Sequence, residues 1–448
     1  MVYDFIIVGS GHAGVTVARN IVKNKKKVLM IDFDDKIIDN DTITNNYTSS
    51  RVNQSNFLNL TNSFKNKSNI VTDNFNLIAC LKESGLSNIW GGGFYLDKDY
   101  CSKNKININF HFLKKKFKIT DYSKVIEKKD CKNNFQKYLL EHINKKDINF
   151  YSSNYLFNIN NRKYYCTKYE LNKLKKKKNF IYKKNNFLTY FRKEKKIFYL
   201  NTTNFNNNFV LKTKNLILSS GTISTTNLVI KYKKEFNKKI RIYHNPQLAL
   251  IFLLKKKIIN KNYKKLKGEM IYKIKLKNNS NVVGSIGRIN KETINSICGQ
   301  VKFIPSFLIK FILFLLRDRI VIANCFFPNN YSKSHIISNG KQSIIKGVRS
   351  NKYNLVKKLF LKKIKSSIKK ISLFSIVKEL PIGSDIHYTG TLSNVKNKKI
   401  NYKNLKKENL FVVDGSIIPG NPIFPGGYII NQAFQESLKV KKQGKLYD

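Results

Sequence analysis

A glycine-rich turn between two apolar segments constrains the fold of this chain more than any other feature. Residues 3–8 are largely apolar, residues 9–14 read G-S-G-H-A-G, and a second apolar run at residues 28–31 is followed by Asp32. This order predicts a strand, a tight turn, a helix and a second strand, with glycines where a pyrophosphate and the helix must approach closely. The free N–H groups at the start of the helix favour an anion there. The sequence therefore predicts a dinucleotide-binding unit.

Six residues of this unit are candidate dinucleotide contacts. The glycines permit the turn, and the carboxylate after the second strand can accept hydrogen bonds from ribose hydroxyls. The imidazole is unusual inside such a turn, and it is a candidate phosphate contact. The candidates are Gly9, Gly11, His12, Ala13, Gly14 and Asp32.

Strand-like runs farther along the chain predict an α/β protein with two sheets. A β-meander at residues 197–211 and buried strands at residues 215–218 and 410–413 extend the first unit, whereas long runs between about residues 241 and 377 suggest an antiparallel sheet. We expect a Rossmann-like domain, with a central parallel sheet and a β-meander, and an α+β substrate domain. The expected limits are 1–235 for the Rossmann-like domain, with insertions at about 104–186, 236–380 for the substrate domain, and 381–448 for a C-terminal return.

The net charge of +58 would suit a nucleic-acid-binding protein, but its distribution favours another explanation. The lysines are spread along the chain among many Asn and Ile residues, which is typical of AT-rich coding sequence, rather than gathered in one stripe. We therefore expect no specific nucleic-acid partner. A field this positive should still raise the non-specific affinity for anionic membranes, nucleic acid or phosphorylated substrates.

The six cysteines predict neither a metal site nor a disulfide framework. They are scattered without a C-x-x-C pair, and no basic or apolar leader precedes the first predicted strand. The expected location is a reducing cytoplasm.

One apolar segment, residues 303–316, is a candidate membrane contact. It is shorter than the ~20 apolar residues that a spanning helix needs, and Pro305 and Lys310 interrupt it. The simpler interpretation is a helix buried in the substrate domain. The alternative is an interfacial helix that touches a membrane from one side and makes the protein membrane-peripheral.

Four further motifs identify a family resemblance. They are G-L-S-N-I-W-G at residues 85–91, I-L-S-S-G-T-I at 217–223, H-Y-T-G-T at 387–391 and V-V-D-G-S-I-I-P at 412–419. Together with the glycine turn, they resemble the glucose–methanol–choline (GMC) flavin oxidoreductases, particularly shorter members associated with polysaccharide biosynthesis. The resemblance covers the Rossmann-like domain well and the substrate domain hardly at all.

The resemblance implies FAD and oxidation of a CH–OH group of a sugar-like or other polar alcohol, by hydride transfer to the flavin. Covalent attachment of the flavin occurs in the family, but no His or Cys here occupies an obvious linkage position, so we expect non-covalent FAD. The electron acceptor stays open. The further cofactor contacts that it implies are Ser87, Asn88, Trp90, Gly91, Gly221, Thr222, Asp414, Gly415, Pro425 and Gly426.

His387 is the candidate catalytic base. The resemblance places it in the catalytic segment, and an imidazole can take a proton from a substrate hydroxyl near neutral pH. A helix predicted to begin near Gly426 would direct its free N–H groups at the flavin and stabilise negative charge there.

The sequence departs from the family at Gly426, where the pattern has a second His or Asn that holds the substrate hydroxyl. Asn421, Tyr428 and Asn431 are candidate replacements. This departure keeps a second hypothesis open, a catalytically impaired flavin-binding protein with a structural role in a glycan-biosynthesis complex. A reductase that uses NAD(P)H is a third possibility, disfavoured because the chain has no second complete G-x-G-x-x-G.

Overall fold

Two large β-sheets, one mostly parallel and one antiparallel, organise this protein. We describe the fold from a computed structural model. The described residues are 1–24, 26–35, 54–88, 92–143, 148–152, 154–155, 165–204, 207–259, 269–276, 281–289, 294, 298, 304–393, 398–420 and 422–444.

The helices and strands are numbered in chain order within these ranges. The helices are α1 (His12–Ile21), α2 (Gln54–Ser68), α3 (Lys98–Lys103), α4 (Phe110–Phe117), α5 (Asn134–His142), α6 (Thr167–Lys175), α7 (Thr222–Lys233), α8 (Ser306–Leu315), α9 (Tyr353–Ile368), α10 (Tyr402–Lys407) and α11 (Gly426–Gly444). The strands are β1 (Val2–Val8), β2 (Val28–Ile31), β3 (Ile70–Asp73), β4 (Gly93–Phe94), β5 (Ile148–Ser152), β6 (Asn154–Tyr155), β7 (Phe180–Lys183), β8 (Phe187–Glu194), β9 (Ile197–Thr203), β10 (Asn208–Leu218), β11 (Ile240–Arg241), β12 (Gln247–Leu254), β13 (Met270–Lys275), β14 (Asn281–Arg288), β15 (Ile320–Phe326), β16 (His335–Ser338), β17 (Ser343–Lys346), β18 (Ser372–Glu379) and β19 (Leu410–Val412).

The first sheet combines a parallel half with a meander. Its order is β7-β2-β1-β10-β9-β8, and β19 also pairs with β10. The second half of β10 is parallel to β1 and β19, whereas its first half is antiparallel to β9. The predicted Rossmann-like sheet with a β-meander is confirmed, and β19 brings the C-terminal part of the chain back to this sheet.

Helices cover both faces of the first sheet. On one face, Val17 and Ile21 of α1 pack with Ile7 of β1 and with Ala433 of α11. The two helices are also joined by the Asn20 amide, which donates to the Ser437 hydroxyl at 2.7 Å. On the other face, α7 packs against β1 and β2. This three-layer arrangement buries the parallel strands on both sides, as their continuous apolar runs require.

The second sheet is antiparallel, with the order β18-β12-β15-β14-β13-β5. Its inner face packs on α5 and α9 through side chains such as Leu250, Phe252 and Phe360. The predicted α+β domain with an antiparallel sheet is therefore confirmed as part of the fold class. Strand β5 lies inside the expected insertion at 104–186 but joins this second sheet, whereas β7, also inside it, joins the first.

The described residues also form two smaller sheets. One has the order β11-β16-β17-β3, in which β17 is parallel to β3, and the other pairs β4 with β6. The first of these joins strands from the two expected domains, so the substrate domain is tied to the residues that follow β2.

Helix α8 (Ser306–Leu315) lies within the apolar segment at 303–316, and it is not buried. Phe307, Phe311 and Leu315 are 73%, 58% and 61% exposed, and Ile309 is the buried residue of the helix. The interpretation of this segment as a helix buried in the substrate domain is therefore wrong. Within the described ranges, none of the helices combines the length and hydropathy that crossing a membrane requires.

Candidate functional site

The glycine turn connects β1 to α1 with almost no free space around two of its glycines. Gly9 has a φ of +98°, and a Cβ there would lie 2.6 Å from the backbone oxygen of Ser219. A Cβ on Gly14 would lie only 2.0 Å from the backbone oxygen of Gly9. Since real Cβ atoms do not come this close to backbone atoms, both positions require glycine.

Gly11 differs, because the position that a Cβ would occupy borders open space that a ligand can fill. The nearest atom to a Cβ on Gly11 would be the Ser84 oxygen, 4.0 Å away. Gly11 also precedes α1 and has no side chain to cap the helix. The N–H groups of the first turn, which includes His12 and the buried Ala13, are therefore suited to an anion such as a pyrophosphate.

The His12 side chain turns into the protein. Its ring stacks on Tyr165 with ring centroids 5.6 Å apart. Burial, followed by the charge of Lys116, lowers the pKa of His12 to about 3. The imidazole is therefore neutral at physiological pH and carries no positive charge for a phosphate, so a phosphate contact of His12 would use its backbone N–H.

Asp32 lies beside the glycine turn, as a ribose contact should. Its carboxylate accepts hydrogen bonds from the backbone N–H of Ser10 at 2.8 Å, from the Ser10 hydroxyl, and from the backbone N–H of Phe33 at 2.8 Å. Burial raises the pKa of Asp32 to about 6, although the hydrogen bonds from Ser10 oppose this shift. Ser10 was not a sequence candidate, yet it also accepts from the backbone N–H of Ser84 at 2.7 Å and joins the two glycine-containing turns.

In the motif at residues 85–91, polar side chains form hydrogen bonds within their own turn. The Ser87 hydroxyl donates to the Ser84 backbone oxygen at 2.7 Å, and the Asn88 amide donates to the Gly85 oxygen at 3.0 Å. The turn follows Ser84, which has a φ of +74°. Trp90 and Gly91 lie outside the described residues.

The Asp414 carboxylate connects the motif at residues 217–223 to its own motif at residues 412–419. Its carboxylate accepts from the Gly221 N–H at 3.0 Å, the Thr225 hydroxyl at 2.5 Å, and the Ser416 N–H and hydroxyl at 3.0 and 2.6 Å. Burial raises the pKa of Asp414, and these hydrogen bonds oppose the shift. A carboxylate has about four acceptor positions, so a flavin contact from this segment would come from its backbone.

Gly415 and Thr222 hold the segment that carries the candidate base. A Cβ on Gly415 would lie 2.6 Å from the Thr222 hydroxyl oxygen, and that hydroxyl donates to the Tyr388 oxygen at 2.6 Å. The Gly390 N–H donates to the Gly415 oxygen at 3.0 Å. The motifs at 221, 387 and 414 are therefore brought together.

His387 lies between two aromatic rings. Its centroid is 5.3 Å from that of Phe326, at the end of β15, and 5.8 Å from that of Phe424. Nδ1 of His387 is buried and has no hydrogen-bond partner among the described residues. Burial lowers the pKa of His387, and the Asp385 carboxylate opposes this effect. The side chain is thus a neutral imidazole with a free nitrogen.

The backbone on both sides of this site is strained. Ile386 and Phe424 have φ values of +63° and +60°. A β-branched or bulky residue adopts this region at an energetic cost, and such residues cluster at functional sites.

A buried polar network supports the His387 loop. Nδ1 of His244 lies 3.5 Å from the Asp385 carboxylate, and its Nε2 lies 2.6 Å from the Ser332 hydroxyl and 2.9 Å from the Ser334 hydroxyl. The other Asp385 oxygen accepts from the Asn245 N–H at 2.7 Å. Sequence reasoning missed this network, because no motif marks these positions.

Helix α11 begins at Gly426, directly after Pro425. Of the candidate replacements for the family's second His or Asn, Asn421 lies outside the described residues. The Tyr428 hydroxyl accepts from the Asp97 N–H at 2.8 Å, and the Asn431 amide bonds the backbone of residues 107 and 109. Both side chains are therefore engaged elsewhere.

Comparison with known proteins gives a family and a fold. The family model of the pyridine nucleotide-disulphide oxidoreductases matches residues 3–259. The crystal structure of pyridoxine 4-oxidase from Mesorbium loti resembles this chain with a TM-score of 0.65 at 12% sequence identity, over 98% of this chain and 99% of that chain. No curated protein matches the chain.

The two findings agree on the cofactor-binding part of the molecule. At this identity, the likeness to pyridoxine 4-oxidase shows a shared fold, which includes both sheets. The family match covers the glycine turn, Asp32 and strands β1, β2 and β7 to β10 of the first sheet, but not β19, and this nucleotide-binding arrangement is consistent with FAD. The chain therefore belongs to the pyridine nucleotide-disulphide oxidoreductase family and has the character of a flavin-dependent oxidoreductase.

Proposed function

We propose that this protein is a GMC-like, FAD-dependent oxidoreductase that oxidises the CH–OH group of a polar, sugar-like alcohol, with His387 as the base. The observation that carries the proposal is the buried Nδ1 of His387, which lies between Phe326 and Phe424 and has no hydrogen-bond partner among the described residues. A buried nitrogen without a partner is costly unless a ligand completes it. The fold shared with pyridoxine 4-oxidase, a GMC-family enzyme, supports the reaction class.

The residues around the glycine turn fit FAD. The open side of Gly11 and the N-terminus of α1 would hold the pyrophosphate, and Asp32 would accept from the ribose. The backbone at Gly221 and Gly415 would line the remainder of the cofactor. When bound, FAD supplies the acceptor for the hydride that leaves the carbinol carbon.

The side chains of this protein would handle the proton. Nδ1 of His387 accepts the hydroxyl proton while the carbinol becomes a carbonyl. The buried Asp385 carboxylate then favours the imidazolium that forms, since its charge raises the pKa of His387. The two phenylalanine rings limit water around the base, and the free N–H groups at the start of α11 favour negative charge nearby.

The cysteines argue against thiol–disulfide chemistry, which the family name includes. All six cysteines fall within the described residues and are free thiols. Burial raises the pKa of Cys80 to about 12 and of Cys101 to about 11, which keeps both thiols protonated. Thiolates are the reactive form, so these two cysteines are poor redox nucleophiles.

One observation favours the second candidate, a flavin-binding protein with a structural role in a glycan-biosynthesis complex. Gly426 offers no side chain where a hydroxyl-holding residue is expected, and Tyr428 and Asn431 are engaged elsewhere. If no other group holds the substrate, flavin would bind without turnover.

The test is the visible spectrum of the purified protein during anaerobic addition of sugars and simple alcohols. Loss of the oxidised-flavin band with one alcohol supports the oxidoreductase. His387→Ala should then slow bleaching by about 10²–10⁴-fold and leave the flavin bound. His111→Ala, a change at an exposed histidine, is the control and should bleach normally. A yellow protein that bleaches equally fast without His387 would overturn the role of this base.

A further inference from the structure

Helix α8 exposes several neighbouring apolar side chains to solvent. We call these outward-facing side chains the apolar patch. A soluble surface rarely exposes so many neighbouring apolar groups unless they bind something. The patch residues on this helix are Phe307, Leu308, Phe311, Ile312, Phe314 and Leu315.

The apolar patch continues onto the edge of the antiparallel sheet. Phe374 and Ile376 of β18 are 53% and 55% exposed. They pair directly with Leu253 and Ile251 of β12. These two residues and Leu313 of α8 pack against the same buried cluster, formed by Ile289, Ile294 and Ile320. Because paired residues lie on the same face of a sheet, the helix and this edge share one surface.

Basic residues surround the C-terminal end of α8. Two backbone hydrogen bonds bring the turn after β12 to this end, from Leu254 N–H to the Arg319 oxygen at 2.8 Å and from Ile258 N–H to the Asp318 oxygen at 3.0 Å. A third, from Lys255 N–H to the Ile371 oxygen at 2.8 Å, adds the end of α9. We call these side chains the basic rim: Lys255, Lys256, Lys257, Arg317, Arg319, Lys369 and Lys370.

We propose that the apolar patch and the basic rim dock this protein on an anionic membrane surface. The apolar side chains of α8 enter the interface, and the basic rim meets the lipid phosphates. A helix of 10 residues cannot span the bilayer, so it lies in the plane of the surface. The inference does not depend on the proposed oxidation, because it concerns a different face of the molecule.

The charge of the rim favours a membrane over a protein partner. One acidic residue, Asp318, lies among the described residues of the rim, with its Oδ1 4.0 Å from Nε of Arg317. Each basic residue near an anionic leaflet favours binding, and this contribution falls with salt. Exposed aromatic and aliphatic side chains next to such a cluster are the arrangement of interfacial helices.

The experiment measures sedimentation of the full chain with two kinds of vesicle, phosphatidylcholine alone and phosphatidylcholine mixed with phosphatidylglycerol. We expect binding to the mixed vesicles, weakened by salt, and little binding to the neutral ones. The double variant Phe311→Ser with Leu315→Ser should weaken binding by tenfold or more. Lys256→Glu with Lys257→Glu should weaken binding to the anionic vesicles and reduce the salt dependence.

Two matched controls change similar residues elsewhere. Phe209→Ser removes an exposed aromatic on β10, and Lys195→Glu with Lys196→Glu reverses two adjacent lysines in the turn between β8 and β9. Both should bind like the parent, and circular dichroism establishes that every variant is folded. Equal binding of the α8 variant and the parent would overturn the proposal. Self-association that depends on Phe311 without any vesicle binding would overturn it as well and identify a second copy as the partner.

Discussion

The proposed cofactor side and the proposed substrate side of the site are built in different ways. On the cofactor side, the glycine turn and Asp32 lie close together in sequence, and the turn acts through its backbone geometry. On the substrate side, His387, Phe326 and His244 come from distant parts of the chain and act through side chains. A motif can specify the first kind of site, whereas the second depends on tertiary packing.

The largest expected effect is on the cofactor side. Gly14→Ala should abolish flavin binding and lower the free energy of unfolding by about 3 kcal/mol or more, because the new Cβ would lie 2.0 Å from a backbone oxygen. Gly11→Ala is the contrast, since its Cβ meets open space. It should unfold like the parent and still bind FAD more weakly. Flavin content measures the loss of binding, and urea unfolding measures the loss of stability. Equal results for the two variants would contradict the predicted difference between Gly14 and Gly11.

A second prediction concerns the pH dependence of stability. The pKa of His12 is about 3 in the folded protein and about 6.5 in an unfolded chain. The unfolded state therefore binds the extra proton as pH falls below about 6.5, and the folded state loses stability between about pH 6.5 and 3. At pH 5, the loss amounts to about 2 kcal/mol relative to neutral pH.

His12→Gln should remove that loss, although it also changes the packing on Tyr165. The readout is the difference in unfolding free energy between pH 7 and pH 5, measured in parent and variant. Asp32 acts with the opposite sign, because its raised pKa of about 6 stabilises the folded state as pH falls through that value. His111→Gln, at an exposed position, should leave the pH dependence unchanged. A larger acid sensitivity in the His12 variant would contradict the prediction.

The smallest expected effect is on the substrate side. Asp385→Asn should lower the plateau rate of alcohol oxidation by about tenfold and move the acidic limb of the pH–rate profile to lower pH. The sign follows from the Asp385 carboxylate, which raises the pKa of His387, so its removal lowers that pKa further. Asp73→Asn, at an exposed carboxylate of β3, should change neither quantity. An unchanged limb would show that Asp385 acts through structure alone.

The contrast also explains what the sequence could predict. The glycine turn and the parallel strands were predictable, because each glycine and each apolar run answers a local backbone requirement. The motif around Asp414 marked this residue as a cofactor contact, which stays a prediction, and in the structure its carboxylate accepts from the Gly221 N–H. The sequence did not show that protein donors satisfy the hydrogen-bonding capacity of the Asp414 carboxylate, because this depends on which groups the fold brings near it.

Other features needed the tertiary structure. The contact between His244 and Asp385 joins two loops that no local pattern relates. Strand β5 looked like part of an insertion, yet its partner is β13 of the other sheet. The exposure of α8 was also hidden, because a segment that is apolar on every side has the same hydropathy in a core and at an interface.

The position of β10 has a consequence for the order of events during synthesis. This strand needs β1 on one side and β19 on the other, and α1 packs against α11. Strand β19 and helix α11 both lie beyond residue 409. The ribosome therefore makes the glycine turn long before the sheet around it can be completed. Tight flavin binding must therefore follow the synthesis of β19. A chain truncated before β19 would lack part of the sheet that supports the flavin site.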